Sequence, residues 1–269
     1  MTDFTEQDLS DSRFEKVLLR RATFEDVSLA DATLTDVDLS GVRIHAARLD
    51  KVRMTGVEVP DLVISGEVRR LVVNGVDVGP LVEAELDRRH PERAAMRPTS
   101  ADGFREAFAI LDRLWAETLD HARALRVEQL HEQVDGEWSF IQTLRHLGFV
   151  HACWISGVVH GFPTPWHPLD LPSDEVPAHE GVPWERRARP ELHEVLSLRR
   201  QRRATVAELL ERMDDSGLAR QVTSATPFLT DVPDLTVGHC LRVVLNEEWE
   251  HRRYAERDLA VLAGSTTRS

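Results

Sequence analysis

Apolar residues recur at every fifth position over the first quarter of the chain: Phe4, Leu9, Phe14, Leu19, Phe24, Leu29, Leu34, Leu39, Ile44, Leu49, Met54, Val59 and Ile64. Two positions before each of the later centres sits a small or β-branched residue, from Ala22 and Val27 to Val52 and Val57. A period of five fits neither an α-helix nor an alternating strand. It fits a chain that turns a corner after each short segment and points the central side chain inward, so that stacked coils bury a column of Leu, Phe and Val. The register fades after Ile64. Leu71 to Val78 then reads as two short strands around an Asn74-Gly75 turn, placed to close the end of the coil.

Beyond Pro80 the apolar period becomes helical. Pro80 to Met96 reads as a connector helix that weakens at Pro91 and ends before Pro98. A first long helix is expected to start at Thr99, with Asp102 completing a capping box. Its stripe of Phe104, Ala107, Phe108, Leu111, Leu114, Trp115 and Thr118 runs to about Leu125. A second starts with the Ser139/Gln142 box and is apolar around most of its circumference to about Gly161. The stretch from Gly161 to Arg189 holds six prolines and is irregular; long connections of this kind tend to carry function. Within it, Trp166-His167-Pro168-Leu169 is the part expected to fold back over something. A third helix begins with Pro190 at its first position, and a fourth spans Thr236 to Ala263. Four helices with one long crossover predict an all-α four-helix bundle. The expected organisation is therefore a repeat with capping strands over 1–79, a connector over 80–98 and a helical domain over 99–265.

Composition narrows the function classes. The net charge of −13 argues against a protein that binds nucleic acid by neutralising phosphates and against adhesion to an anionic membrane surface. No apolar run approaches the length of a membrane span, and the N-terminus lacks the basic and apolar regions of a signal peptide. The two cysteines, Cys153 and Cys240, sit in apolar helical patterns and read as reduced, buried residues of a cytoplasmic protein.

The candidate chemistry lies in the last helix. Glu247 and His251 are four apart, hence one turn apart on one ridge, behind Cys240 and Val244. This is the spacing of a two-His zinc helix with Glu in place of one His. Glu248, Glu250, Arg252 and Arg253 are also charged, so on its own the stretch suits a solvated helix end. On the second long helix, His146 lies on a ridge with Thr143, Val150, Cys153 and Gly157, and on its own suits a core histidine. Bundles build metal sites from inward side chains on facing helices. His146, Glu247 and His251 together would give three ligands and leave one position open, the mark of a catalytic site. Glu248, Tyr254 and His167 are candidates for proton transfer or for support of the ligands.

Two resemblances sharpen this reading. The five-residue period resembles the pentapeptide-repeat family, which implies a right-handed quadrilateral β-helix. Some members mimic DNA and bind gyrase. Asp26, Asp31 and Asp36 do repeat here, but Arg13, Lys16, Arg20, Arg21, Arg43, Arg48, Lys51 and Arg53 interrupt them, which favours a structural platform. The pattern Trp138-Ser139, Leu144-Arg145-His146-Leu147 and then Glu247 to Leu259 resembles the DinB/YfiT superfamily over roughly residues 99–263. That resemblance implies a four-helix bundle holding a divalent metal through one His on the second helix and a His-x-x-x-His pair on the last. His146 and His251 match. Glu247 stands where the family usually has the middle His, which hardens the site and lowers its preference for zinc relative to iron or manganese; a carboxylate is still an acceptable zinc ligand, so the expected metal is zinc before iron, nickel or manganese. Activities in the superfamily include isomerases and S-transferases that depend on a low-molecular-weight thiol such as mycothiol or bacillithiol. The implied function is a metal-dependent enzyme with a small-molecule substrate, whose metal activates a bound thiol or water as a transferase, isomerase or hydrolase. The alternative is a non-catalytic scaffold that uses the β-helix as its partner surface. Open solenoid ends often pair, so a homodimer is a further expectation.

Overall fold

The structure is a computed structural model of the chain. It describes residues 4–25, 27–44, 47–66, 68–173, 176, 179–227, 229 and 235–266, with side chains up to 264 in the last helix. Asp26, and Pro177 among the six prolines of the long connection, lie outside the described residues. The chain divides into two compact units, Met1–Ile64 and Ser65–Ser269. In this division the hairpin and the connector fall with the helical unit.

The first unit turns on a beat of five. Positive φ recurs at Glu6, Asp11, Lys16, Arg21, Asp31, Asp36, Gly41, Lys51 and Gly56. Four of these corners are closed by backbone bonds across four residues: Leu9 O accepts from Ser12 N, Leu19 O from Ala22 N, Leu29 O from Ala32 N and Leu39 O from Val42 N, at 3.1–3.2 Å. Positive φ at the third residue of such a turn is the type II pattern. The corners therefore follow the sequence period, but the expected buried column does not form. The thirteen centres are 42–66 % exposed, from Leu9 to Ile44. The described residues of this unit form no strand ladder, and its backbone bonds among described residues are turn bonds. Without bonds from coil to coil, nothing draws the central side chains under cover.

The second unit begins with β1 (Val72–Val73) and β2 (Val76–Asp77), paired antiparallel. Asn74 and Gly75 between them both have positive φ, as the tight hairpin turn requires. Helix α1 (Gly79–Arg89) follows, with Pro80 in its first turn, and Pro91 opens a 3-10 turn to Met96. Helix α2 (Ala101–Arg123) is capped by Ser100, whose hydroxyl accepts from Gly103 N. The cap is one residue later than expected at Thr99, and Asp102 instead pairs with Arg105 at 2.9 Å. Helix α3 (Phe140–His151) opens with the expected Ser139/Gln142 box and runs on as a π-helix over Ala152–Val159. Helix α4 (Leu192–Glu211) is capped by Glu191 paired with Glu194, so Pro190 stands before the cap rather than inside the helix. A short α5 (Asp215–Leu218) precedes α6 (Val237–Thr266), whose start is capped by Thr236 accepting from His239 N.

Burial follows the apolar stripes. Helix α2 buries Phe104, Ala107, Phe108, Leu111, Leu114 and Trp115, and α3 buries almost its whole circumference. Helix α6 buries Val237, Cys240, Leu241, Val244, Leu245, Glu248 and Trp249. Helix α3 packs on α4 and α6, and α2 packs on α6 and α4. This packing brings the middle of α3 against the middle of α6. Among the described residues, no helix is long and apolar enough to cross a membrane.

Candidate metal centre

The facing turns of α3 and α6 bring His146, Glu247 and His251 together. One ligand atom from each lies within 4.8 Å of the others. Glu247 Oε2 is 3.5 Å from His146 Nε2 and 3.1 Å from His251 Nε2. Ligands about 2.1 Å from a tetrahedral zinc-type ion lie about 3.4 Å apart, so both separations suit a shared cation. His146 is buried, whereas Glu247 and His251 are partly exposed at the rim. The cluster thus has a buried back and an open front.

The protonation states also suit a cation. Burial holds His146 below the usual histidine value despite the neighbouring Glu247 carboxylate, which keeps its ring neutral. Burial alone would raise the Glu247 carboxyl, but the neighbouring His146 and His251 rings outweigh it and carry the group down to about 2. A neutral imidazole and an ionised carboxylate are the forms that bind metal.

The other ring nitrogen of His146 is engaged behind the cluster: Nδ1 lies 3.1 Å from the carbonyl oxygen of Leu171. A carbonyl only accepts, so this bond places the proton on Nδ1 and leaves the Nε2 lone pair toward Glu247. Aromatic rings surround the group. Trp138 lies nearly parallel to His251 with centroids 5.8 Å apart and packs on His146 at 4.5 Å. Phe149 is 6.4 Å from His146 and stacks on Trp166, and Tyr254 meets His251 edge-on at 6.0 Å. Burial and the nearby Glu250 carboxylate raise the Tyr254 phenol above its usual value, so it stays a hydrogen-bond donor.

The remaining sequence candidates sit elsewhere. Glu248 points away from Glu247, as a step of about 100° per residue requires. It is fully buried and accepts from Arg199 Nη2 at 2.6 Å, from Arg199 Nη1 at 3.0 Å, from His151 Nε2 at 2.8 Å and from Arg203 at 3.4 Å. Burial would raise its carboxyl, but Arg199, His151 and Arg203 hold it well below the usual range. Asp112 completes the group through Arg203, so two carboxylates face two guanidiniums, and Arg199 also lies over Trp115 at 4.4 Å. Surrounded this way, Glu248 is a core ion-pair partner rather than a proton-transfer group at the cluster. His167 lies in the connection after α3, where its Nδ1 accepts from Leu169 N at 3.1 Å. Neither its hydrogen bonds nor its ring contacts reach the three candidate ligands.

The spacing argument had no means of finding Arg199, Arg145 or Asp170. For His151 and Glu248 a signal did exist: Leu144, Leu147, His151 and Leu241, Val244, Glu248 each continue an apolar stripe into a polar residue. Cys153 and Cys240 are free and buried. Burial pushes both thiols up to about 12, so neither is a nucleophile at neutral pH.

The comparisons with known proteins agree with this division. The DinB superfamily matches residues 110–255, more than half of the chain, and pentapeptide repeats in eight copies match over 2–36 and 18–56. No significant match to the chain was found among curated proteins or solved structures.

Proposed function

The chain belongs to the DinB superfamily, and on that footing we propose that its helical unit is a metal-dependent enzyme acting on a small organic substrate. The observation that carries the reading is the convergence of His146, Glu247 and His251 on one point. We read α2, α3, α4 and α6 as the superfamily's four-helix bundle, with the shorter helices as additions, and the first unit as a pentapeptide-repeat platform.

In this reading the three side chains hold a divalent cation, zinc before iron, nickel or manganese. The cation supplies the charge that makes a thiol or water nucleophilic near neutral pH. The chain's own residues do the rest. His146 and His251 direct ring nitrogens at the site, and Glu247 offsets one unit of charge. Tyr254, held protonated, is placed to donate to a substrate oxygen at the open front. Trp138 and Phe149 supply an apolar wall. A low-molecular-weight thiol of the mycothiol type suits the reaction class as co-substrate, giving an S-transferase or isomerase, with hydrolysis as the counterpart when water is the nucleophile. His167 serves the loop rather than the reaction.

The test is elemental analysis of protein purified without chelator or immobilised metal, beside His251→Ala. About one metal per chain in the parent and little in the variant supports the reading. Metal missing from both after zinc, iron or manganese is supplied removes it. A second reading has an observation of its own. The apolar centres of the repeat are largely exposed, which suits a surface that another protein or a second copy covers. A metal-free parent would direct attention there.

A further inference from the structure

The described residues of the connection after α3 run back across that helix as a strap, and two arginines grip it. Arg145 is fully buried. Its guanidinium faces carbonyls rather than a carboxylate: Nε donates to Leu169 O at 2.8 Å, Nη2 to Glu185 O at 2.7 Å and Nη1 to Ala188 O at 3.4 Å. From α4, Arg202 Nη2 donates to Pro165 O at 2.9 Å and to Asp170 Oδ2 at 3.2 Å. Between these grips, Leu171 bonds α3 twice. Its N–H donates to the Arg145 carbonyl at 3.3 Å, and its own carbonyl lies 3.1 Å from His146 Nδ1. The approach is close enough to need a glycine, since a Cβ on Gly148 would stand 2.8 Å from Asp170 Oδ1.

We propose that Arg145 is a positioning residue for the metal centre: by pinning the strap it holds the Leu171 carbonyl against His146 and so selects the ring tautomer whose free nitrogen faces the cation. The proposal rests on reading His146, Glu247 and His251 as a metal site. Selection is needed because Glu247 competes for the same proton. A neutral ring has one N–H to give. If Nε2 carried it toward Glu247, 3.5 Å away, the ring would be closed to metal. The nearer carbonyl draws the proton to Nδ1, and the carbonyl stays near only while the strap is clamped. A guanidinium suits the task because its planar fork satisfies three fixed carbonyls at once.

The tautomer can be read before any metal is added. In metal-free protein labelled with 15N-histidine, long-range 1H–15N correlation spectra distinguish the two ring nitrogens, and His146→Gln assigns the signal by its loss. The parent is expected to carry the proton on Nδ1. In Arg145→Gln and Gly148→Ala the signal should shift toward the Nε2-protonated form. Zinc titration against a chromophoric chelator should then show affinity lower by about 10- to 100-fold, and the cobalt(II) absorption bands should change. Circular dichroism checks that each variant folds. If Arg145→Gln does not, Gly148→Ala, which keeps every charge, carries the test. An Nε2-protonated His146 in the parent overturns the proposal. So do folded variants that keep the parent's tautomer and zinc affinity. A parent that shows the Nδ1 proton yet binds no zinc would instead remove the metal reading and leave the strap's grip on the ring intact.

Discussion

Glu247 and Glu248 are consecutive residues that belong to different structures: Glu247 Oε2 lies 3.1 Å from His251, while Glu248 Oε2 lies 2.6 Å from Arg199. One turn of α6 thus carries both a candidate ligand and the centre of a buried ion-pair group.

Neutralising each should give opposite profiles. Glu247→Gln should lower zinc affinity by about 100-fold or more, since second-shell losses alone reach that range, and change urea stability little. Glu248→Gln leaves the buried Arg199 without its carboxylate, and breaking a buried pair costs about 3–5 kcal/mol. Urea unfolding of metal-free protein with zinc titration of the folded state checks both. Equal stability loss in the two variants would refute the division.

Asp170 gives the strap a pH dependence. Burial raises its carboxyl from 3.8 to about 6, against the opposing pull of Arg202. An acid raised on folding stabilises most while protonated. The contribution is full below about pH 4 and is lost as pH rises through about 6, a change on the order of 3 kcal/mol. Exchange of strap amides, corrected for intrinsic rate, should speed up across that window. Asp170→Asn should flatten the profile, and an unchanged profile in that variant would rule the carboxyl out as its source.

Cys153 and Cys240 should resist alkylation. With both thiols near 12, native protein treated with iodoacetamide at pH 8 should stay unmodified by mass spectrometry, while denatured protein takes two labels. Rapid labelling of folded protein would contradict the burial described.

Gly157 should not accept alanine. A Cβ there would stand 2.4 Å from Thr226 Cγ2, inside the π-helix. Alanine gains up to about 1 kcal/mol in helix propensity, but overpacking costs about 1–3 kcal/mol, so the net change should be destabilising. A raised melting temperature for Gly157→Ala would show that the two segments part easily.

The candidate site was legible because its signals are local. The four-residue step from Glu247 to His251 fixes a shared helix face, and the Ser139/Gln142 box sets where α3 starts and so where His146 falls. What escaped notice depends on chain segments far apart in sequence. Nothing near Arg145 announces that it will bind carbonyls some 24 to 43 residues away, and Glu248, a candidate for proton transfer at the site, is instead taken up by partners from α3 and α4. The π-helix was invisible for a related reason. Within it Gly157 packs closely on Thr226, far along the chain, a contact that no local pattern announces. In the first unit the corners were legible and the burial was not. A period of five specifies where the chain turns, but side-chain cover depends on whether successive coils bond to one another.

Those corners also set the grammar by which the first unit can change length. A left-handed backbone conformation at Asp11, Lys16, Arg21, Asp31 and Asp36 is tolerable for such residues and far less so for bulky apolar or β-branched ones. Losing a single residue ahead of them would slide Val17, Val37, Val42, Val52 and Val57 onto corners that resist them. Losing or gaining five would leave each residue in its own kind of place. Insertions and deletions within the first sixty-four residues should therefore survive in multiples of five, and the unit is better regarded as a counted series than as a fixed shape.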